Sequence, residues 1–242
     1  MKIVIILFFV VLLSAQSSFK KSSGSYSNGA LGATLSYIKP DLSDLNKSLK
    51  NLDVGKLKED IFLFGGEVSG ALNSSVFVGA QYFSGSTSTS GSVVREINTE
   101  TYKLSRSIKY DLSYGGISGS YYSSVMGSTG YFVGGSVNYG SVRLLLSQDA
   151  GDLTYDDLIN SYDHPNLFHS STLKCDMWAF EAFSGLRMAL SDNIFLQLSV
   201  GYLYAFVDED GVLNYEFENV MDGVPDLDIN SVRYSASVMF GN

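Results

Sequence analysis

The chain has 242 residues and is rich in glycine (24), tyrosine (16) and phenylalanine (15) but contains only 3 prolines, a composition that favours β-structure. Its formal net charge is −9 and its basic residues are few and scattered, which argues against nucleic acid as a partner. The single cysteine, Cys175, excludes a framework of intramolecular disulfides.

The first residues have the pattern of a secretory signal peptide. Lys2 is followed by an apolar run of 11 residues, 3–13, and by the small residues Ser14 and Ala15. A helix that spans a bilayer needs roughly 20 apolar residues, so this run is too short. We expect residues 1–15 to be a cleaved leader, 16–28 a short N-terminal segment, and 29–242 a single domain.

Eight later stretches alternate between large apolar and small or polar residues, which is typical of β-strands. In the clearest of them, Leu196, Leu198, Val200 and Tyr202 share one face, and Gln197 lies on the other. The predicted strands cover residues 29–38, 61–72, 76–85, 107–123, 131–147, 171–190, 194–206 and 232–240.

The fourth and fifth strands give two further predictions. The fourth has its large apolar residues on one face, which we expect to belong to the apolar exterior: Ile108, Tyr110, Leu112, Tyr114 and Tyr122. In the fifth, the pattern slips at residues 143–146 and predicts either a β-bulge or a membrane-edge position.

The strands are joined alternately by long polar loops and by tight turns. The first long loop begins a helix near Asp41, and Leu42, Leu45, Leu49 and Leu52 follow on one stripe. This helix could cap the domain, close it as a lid or bind a partner. The second long loop, residues 84–106, begins with serine, threonine and glycine and could extend its hairpin through residues 93–97.

The third and fourth long loops are acidic. Residues 148–169 carry 5 acids and residues 208–228 carry 8, with no lysine or arginine in either segment. Asp208 and Asp210 lie in a turn-forming, oxygen-rich stretch and are candidate ligands for a divalent cation, although the full EF-hand pattern is missing. We expect no other cofactor.

The pattern distinguishes a membrane barrel from a soluble one. The face opposite the apolar residues mixes glycine, serine and glutamine with isolated charges, namely Glu67, Glu181, Arg187 and Arg233. The interior of an eight-stranded barrel is just wide enough to be filled by side chains. We therefore expect these four residues to form a polar network inside a closed or nearly closed lumen. The alternative is a soluble secreted or periplasmic barrel that binds an apolar ligand.

The last strand, with Tyr234, Ala236, Val238 and Phe240 at alternate positions, resembles that of small bacterial outer-membrane barrels of the OmpA/OmpX type. The resemblance implies an all-β, eight-stranded antiparallel up-and-down transmembrane barrel in the bacterial outer membrane, surrounded by lipid. It also implies recognition of the last strand by the barrel-assembly machinery. In that class the aromatic residue is usually last, whereas Gly241 and Asn242 follow it here.

The expected role is structural, protective or surface-interacting, with the acidic loops outside and a surface partner that the sequence does not identify. We expect no catalytic residues. The alternative is a lipid A-modifying hydrolase, because His169, Ser170 and Ser171 resemble the His-x-Ser of lipid A deacylases. Glu181, the acid that would orient His169, lies about 30 Å or more along the strand, which spoils a triad. The other histidine is His164.

Overall fold

The computed structural model describes residues 29–97, 100–126, 128–149, 169–208, 213–214, 219–220 and 227–241. Its one α-helix is α1 (Ser43–Leu49), followed by a 3-10 turn at Lys50–Leu52. The strands are β1 (Gly29–Ile38), β2 (Ile61–Ala71), β3 (Val76–Ile97), β4 (Glu100–Met126), β5 (Thr129–Asp149), β6 (His169–Ser191), β7 (Ile194–Val207), β8 (Leu213–Asn214), β9 (Asn219–Val220) and β10 (Ser231–Gly241).

Eight of these strands form a closed barrel. Neighbours in sequence pair antiparallel from β1 to β7, β7 pairs with β10, and β10 returns to pair with β1. The remaining two, β8 and β9, form a small hairpin that pairs with β6 near Leu173. The predicted eight-stranded antiparallel up-and-down barrel is confirmed.

Two strands are much longer than predicted, since β3 continues to Ile97 and β4 begins at Glu100. The hairpin of β3 and β4 stays paired as far as Ile97 and Glu100, so its predicted extension through residues 93–97 is confirmed. On the other side of the barrel, β1 begins its pairing with β2 at Ile38 and Ile61. One side of the barrel wall is therefore much taller than the other.

Of the two alternatives for residues 143–146, the β-bulge is wrong, and the membrane-edge position stays a prediction. Those residues pair without a register shift with both β4 and β6, and the irregularities lie at Ser124/Met126 and Ala189/Ser191. The alternation persists at this point but its polarity is reversed, since Val142 is buried inside and Arg143 is exposed outside.

The lower part of the barrel, toward the tight turns, has an apolar exterior. On β7, Leu198, Val200 and Tyr202 are 44%, 44% and 51% exposed, whereas Gln197 is buried inside. At the long-loop end of this surface lies a set of outward rings that we call the aromatic belt. Its members are Tyr37, Phe62, Tyr82, Tyr139, Trp178, Phe180, Tyr204, Phe206 and Tyr234.

The apolar face of β4 points inward, contrary to the expectation from its sequence. Ile108, Tyr110, Leu112 and Tyr114 are each no more than 2% exposed, and Tyr122 is 7% exposed. Most of these residues lie toward the long loops, where the interior of the barrel is an apolar core. Alternation alone does not indicate which face is the interior, and here the assignment was reversed.

The leucine stripe of the first loop fills the mouth of the barrel. Leu42, Leu45 and Leu49 are at most 5% exposed and belong to one core cluster with residues of the barrel wall such as Ile61 and Leu203. The residue that caps α1 is Leu42, and Asp41 accepts a hydrogen bond from the Ser43 N–H (2.9 Å) one residue further on. No helix in the described part of the chain is long and apolar enough to cross a membrane.

Candidate functional site: the barrel interior

Three kinds of side chain follow one another along the interior. Near the tight turns lies a group of aromatic rings around Arg187, and in the middle lies a set that we call the polar layer. Toward the long loops lies the apolar core. We call residues 39–60, whose leucines belong to this core, the plug. The polar layer consists of Glu67, Gln81, Ser136, Asn138, Glu181, Arg187, Gln197 and Arg233.

The centre of the polar layer is a buried ion pair. Arg233 Nε lies 2.7 Å from Glu181 Oε1, and the two side chains are 5% and 0% exposed. The guanidinium also lies over the ring of Phe83, 4.3 Å from its centroid. Gly201 on β7 stands between the two partners, where a side chain would meet the Glu181 carboxylate. Strand pairing therefore allows the ion pair because the intervening residue is a glycine.

Three polar residues extend this pair across β3 and β5. Gln81 Nε2 donates to Ser136 Oγ and to Asn138 Oδ1, both at 3.0 Å. Asn138 Nδ2 donates to Ser136 Oγ at 2.8 Å, and Ser136 Oγ donates to Glu181 Oε2 at 3.5 Å. The hydrogen bonds thus link β3, β5 and β6 through the interior, and they leave little freedom for these side chains to move.

The second arginine and the second carboxylate are joined through an amide. Arg187 Nη2 donates to Gln197 Oε1 at 2.9 Å, and Gln197 Nε2 donates to Glu67 Oε1 at 3.1 Å. The Arg187 guanidinium also faces the rings of Phe77 and Tyr122, with centroids at 5.4 and 5.6 Å. Cation–π contacts of this kind are favourable where water is excluded.

The four charged residues named from the sequence all lie in the interior. Arg233 and Glu181 meet directly, whereas Arg187 and Glu67 are bridged by Gln197. Two carboxylates and two guanidiniums make the layer formally neutral. This balance matters because a buried charge without a partner costs several kcal/mol.

Sequence reasoning missed the amides that connect these charges. Gln81 and Gln197 occupy the same alternating faces as the charged residues, and this periodicity was the available signal. Phe83 carried no signal for its role, because nothing in the sequence shows that an aromatic ring on β3 lies beside an arginine on β10.

The plug is tied to the barrel by polar contacts as well as by leucines. Arg106 Nη1 donates to the Leu52 carbonyl at 2.7 Å, and its Nε donates to Gln148 Oε1 at 2.8 Å. Within the plug, the Asn46 amide donates to the Leu57 carbonyl (3.1 Å) and accepts from the Leu57 N–H (2.8 Å). Arg106 therefore fixes the C-terminal end of the helical segment to β4 and β5.

The candidate cation ligands are not brought together in the described structure. Asp208 is exposed at the end of β7, where its N–H bonds the Asp176 carbonyl at 2.9 Å, and Asp210 lies outside the described residues. Among the residues that the structure describes, no group of three or more His, Cys, Asp or Glu side chains could hold a metal ion.

The histidines give no catalytic arrangement in the described structure. His164 lies outside the described residues, and His169 is exposed at the first position of β6, paired with Gln148. Glu181 is twelve positions further along the same strand and is paired with Arg233 inside the barrel. The carboxylate is thus too far from His169 to orient it.

Several solved structures of other proteins are similar to this chain over most of its length. No family model matches the chain, and no match was found among curated proteins. The chain is similar to the solved structure of Neisserial surface protein A, with 13% identity, a TM-score of 0.47, and coverage of 89% of this chain and 98% of that one. It is also similar to the outer membrane protein OprG of Pseudomonas aeruginosa, with 14% identity, a TM-score of 0.46, and coverage of 89% and 96%. A third is Ail, the attachment invasion locus protein of Yersinia pestis, with 12% identity, a TM-score of 0.40, and coverage of 89% and 96%.

Proposed function

We propose that this protein is a plugged, non-conducting and non-enzymatic barrel of a bacterial outer membrane, with a structural, protective or surface-interaction role. The observation that carries the proposal is the combination of an apolar exterior with an interior filled by paired charges and by the plug. The last strand, β10, is the segment that the assembly machinery would recognise.

The exterior supports a location in lipid. Outward residues such as Phe64, Ile117 and Leu186 are 67%, 69% and 50% exposed, on a surface far larger than the apolar patches that soluble monomers expose. On β7, outward apolar side chains run from Ile194 to Phe206, which is about 40 Å along a strand at ~3.3 Å per residue. At a tilt of about 45° this covers about 28 Å along the barrel axis, close to the thickness of a bilayer core.

The same exterior argues against a soluble carrier of apolar ligands. A soluble barrel would bury Leu198, Val200 and Tyr202 in an internal pocket and expose Gln197, and the observed arrangement is the reverse. The apolar part of the interior is occupied by Leu42, Leu45 and Leu49 of the chain itself.

The interior supports a closed lumen. An ion would have to pass the plug, then the Arg233–Glu181 pair, then the rings around Arg187. Each of these barriers is packed or hydrogen-bonded. Opening the polar layer would separate buried charges from their partners, which is costly.

Two measurements test this proposal. The protein folded in detergent or vesicles should migrate faster on an unboiled than on a boiled gel, and it should pellet with membranes after an alkaline wash. In planar bilayers the intact protein should give no conductance steps. Steps from the intact protein would overturn the closed lumen, and release by the alkaline wash would overturn the membrane location.

A deletion variant locates the barrier. Replacing residues 41–58 by a short glycine-serine linker removes α1 and its leucines while leaving every barrel strand in place. A control variant shortens the hairpin tip of β3 and β4 by removing residues 95–102, which leaves the buried Leu104 and the plug contact of Arg106 in place. If the plug is the outermost barrier, only the first variant should show brief conductance events, limited by the polar layer that remains.

A further inference from the structure

On β3 to β6 the outer surface changes from aromatic to polar between one row of paired outward residues and the next. Tyr82, Tyr139 and Trp178 of the aromatic belt lie in one paired row, with Gly115 between the first two. The next outward row toward the long loops consists of Ser84, Ser113, Ser141 and Asp176. In a bilayer, aromatic rings lie at the membrane–water interface, so this next row falls at the level of the lipid headgroups.

Three cations lie just beyond that row on one side of the barrel, two of them one outward row further and the third two rows further. Arg143 pairs across β5 and β6 with Lys174, and across β4 with Asp111, while Lys109 lies two positions from Asp111 on the same face. Lys109 Nζ is 2.8 Å from Asp111 Oδ1, and Lys174 Nζ is 2.5 Å from Asp176 Oδ1. We call these residues, Lys109, Asp111, Arg143, Lys174 and Asp176, the basic patch.

The net positive charge of the basic patch belongs to Arg143. The two lysines are each paired with an aspartate of their own strand, whereas Arg143 is exposed and interacts with Asp176 at longer range, without an ion pair or a hydrogen bond to the described residues. Its guanidinium can therefore bind a phosphate with two parallel N–H donors. Ser86 is exposed on the same outward face and supplies a further hydroxyl donor.

The opposite side of the barrel has acids at the corresponding level. Asp60, which accepts a hydrogen bond from Tyr37 of the aromatic belt, immediately precedes β2. Asp228, just before β10, is also exposed, and Lys39 is accompanied there by Glu59 at 3.9 Å. Among the described residues, the rim is thus basic across β4 to β6 and carries acids beside β10, β1 and β2. Asp208 marks the boundary between the two sides, because its N–H bonds the carbonyl of Asp176.

We propose that Arg143, flanked by Lys109 and Lys174, binds the phosphate of an anionic membrane lipid on the β4–β6 side of the barrel. The proposal rests on the membrane location proposed above. The lipid chains lie along the apolar wall below the belt, and the phosphate reaches Arg143, four residues beyond Tyr139 on β5. Among the described residues, the acidic side of the rim has no such site, so the lipid is bound locally rather than around the whole barrel.

The chain contains its own reporter for this site. Trp178 is the only tryptophan, it makes an edge contact with the Tyr139 ring with centroids 5.2 Å apart, and it lies four positions from Lys174. Bromine atoms on lipid chains quench tryptophan fluorescence only at short range, so quenching measures which lipid occupies the wall beside this residue. The experiment compares brominated phosphatidylglycerol with brominated phosphatidylcholine, each mixed with the unbrominated form of the other lipid.

The anionic lipid should be preferred beside Trp178 by about fivefold in low salt, the effect expected of one cation at the headgroup layer. The preference should fall close to one in Arg143→Gln and shrink as ionic strength rises. Lys103→Gln is the matched control. It also removes one positive charge from the outer face of the barrel, but Lys103 lies on β4, twelve positions beyond Gly115 of the belt row. It should keep the preference.

A second reporter tests whether the site is local. The double variant Trp178→Phe with Tyr234→Trp moves the reporter to the acidic side, where we expect no preference for the anionic lipid. Equal preference at both reporters, or a preference that Arg143→Gln leaves unchanged, would overturn the lipid site while leaving the membrane location intact. If brominated phosphatidylcholine does not quench Trp178 at all, the membrane location itself fails, and the lipid site with it.

Discussion

Breaking the ion pair in the polar layer should cost far more stability than any surface change of the same size. Arg233→Met keeps the length of the side chain but leaves the fully buried Glu181 carboxylate without its partner at 2.7 Å. Removing one partner of a buried pair costs about 3–5 kcal/mol. The lost contact with the Phe83 ring, whose centroid is 4.3 Å away, adds to this by about 1 kcal/mol. We expect the free energy of unfolding to fall by about 4–6 kcal/mol.

The assay is urea unfolding of the protein folded in vesicles, followed by the fluorescence of Trp178 and by migration on unboiled gels. The double variant Glu181→Gln/Arg233→Met removes both charges, so it should regain most of the loss and remain about 1–2 kcal/mol below the wild type. Arg95→Met is the control, because it is the same substitution at an exposed site and should change stability by less than about 0.5 kcal/mol. A loss below about 1 kcal/mol in Arg233→Met, or a double variant no better than the single one, would refute the reasoning.

Three further predictions use the same unfolding assay or its local equivalent. Leu45→Ala leaves a cavity in the plug and should lower its local stability by about 2–5 kcal/mol. Amide exchange in α1 should be faster and the first loop should be cleaved more easily by proteases, whereas protection equal to the wild type would contradict the packing. Gly201→Ala places a Cβ 2.6 Å from the carboxylate of the ion pair and should destabilise the barrel by about 1–3 kcal/mol, whereas at Gly119 an added Cβ meets no heavy atom within 4 Å and the same change should be nearly neutral. Equal effects at the two glycines would mean that the space around the ion pair is not limiting. Val200→Lys puts a charge on the apolar wall and should cost about 2–4 kcal/mol in a bilayer, while Ser88→Lys, beyond the belt, should cost less than about 1 kcal/mol; similar costs would argue that no lipid surrounds β7.

The alternation of residue types predicts the strands well, because a strand places successive side chains on opposite faces whatever surrounds it. The alternation identifies the face that lines the interior only where it is known whether the exterior at that height is apolar or polar. On β7 the outward face is apolar, and the assignment of Leu198 and Gln197 to opposite sides was correct. On the upper part of β4 the outside is polar and the inside is the apolar core, so the same rule placed Tyr110 and Leu112 on the wrong side.

Contacts between distant strands are a second limit. The spacing of Leu42, Leu45 and Leu49 predicts a helix with one apolar stripe, but not that the stripe closes the barrel mouth. Its partners, such as Ile61 and Leu203, are far apart in the sequence and meet only when the ring closes. The pairing of Arg233 with Glu181 likewise depends on the register of β10, β7 and β6, which alternation does not specify.

The unequal height of the barrel wall has a consequence for how the molecule is approached. From Gly115, level with the aromatic belt, β4 continues for fifteen positions to Glu100. This is about 50 Å along the strand at ~3.3 Å per residue, and about 35 Å of elevation at a 45° tilt. On β1, by contrast, only Ile38 follows the belt residue Tyr37 before the strand ends. Among the described residues, the hairpin crest therefore stands furthest from the membrane and well clear of the mouth. A short epitope grafted there would be displayed to an antibody without disturbing either the plug or the ion pair beneath it.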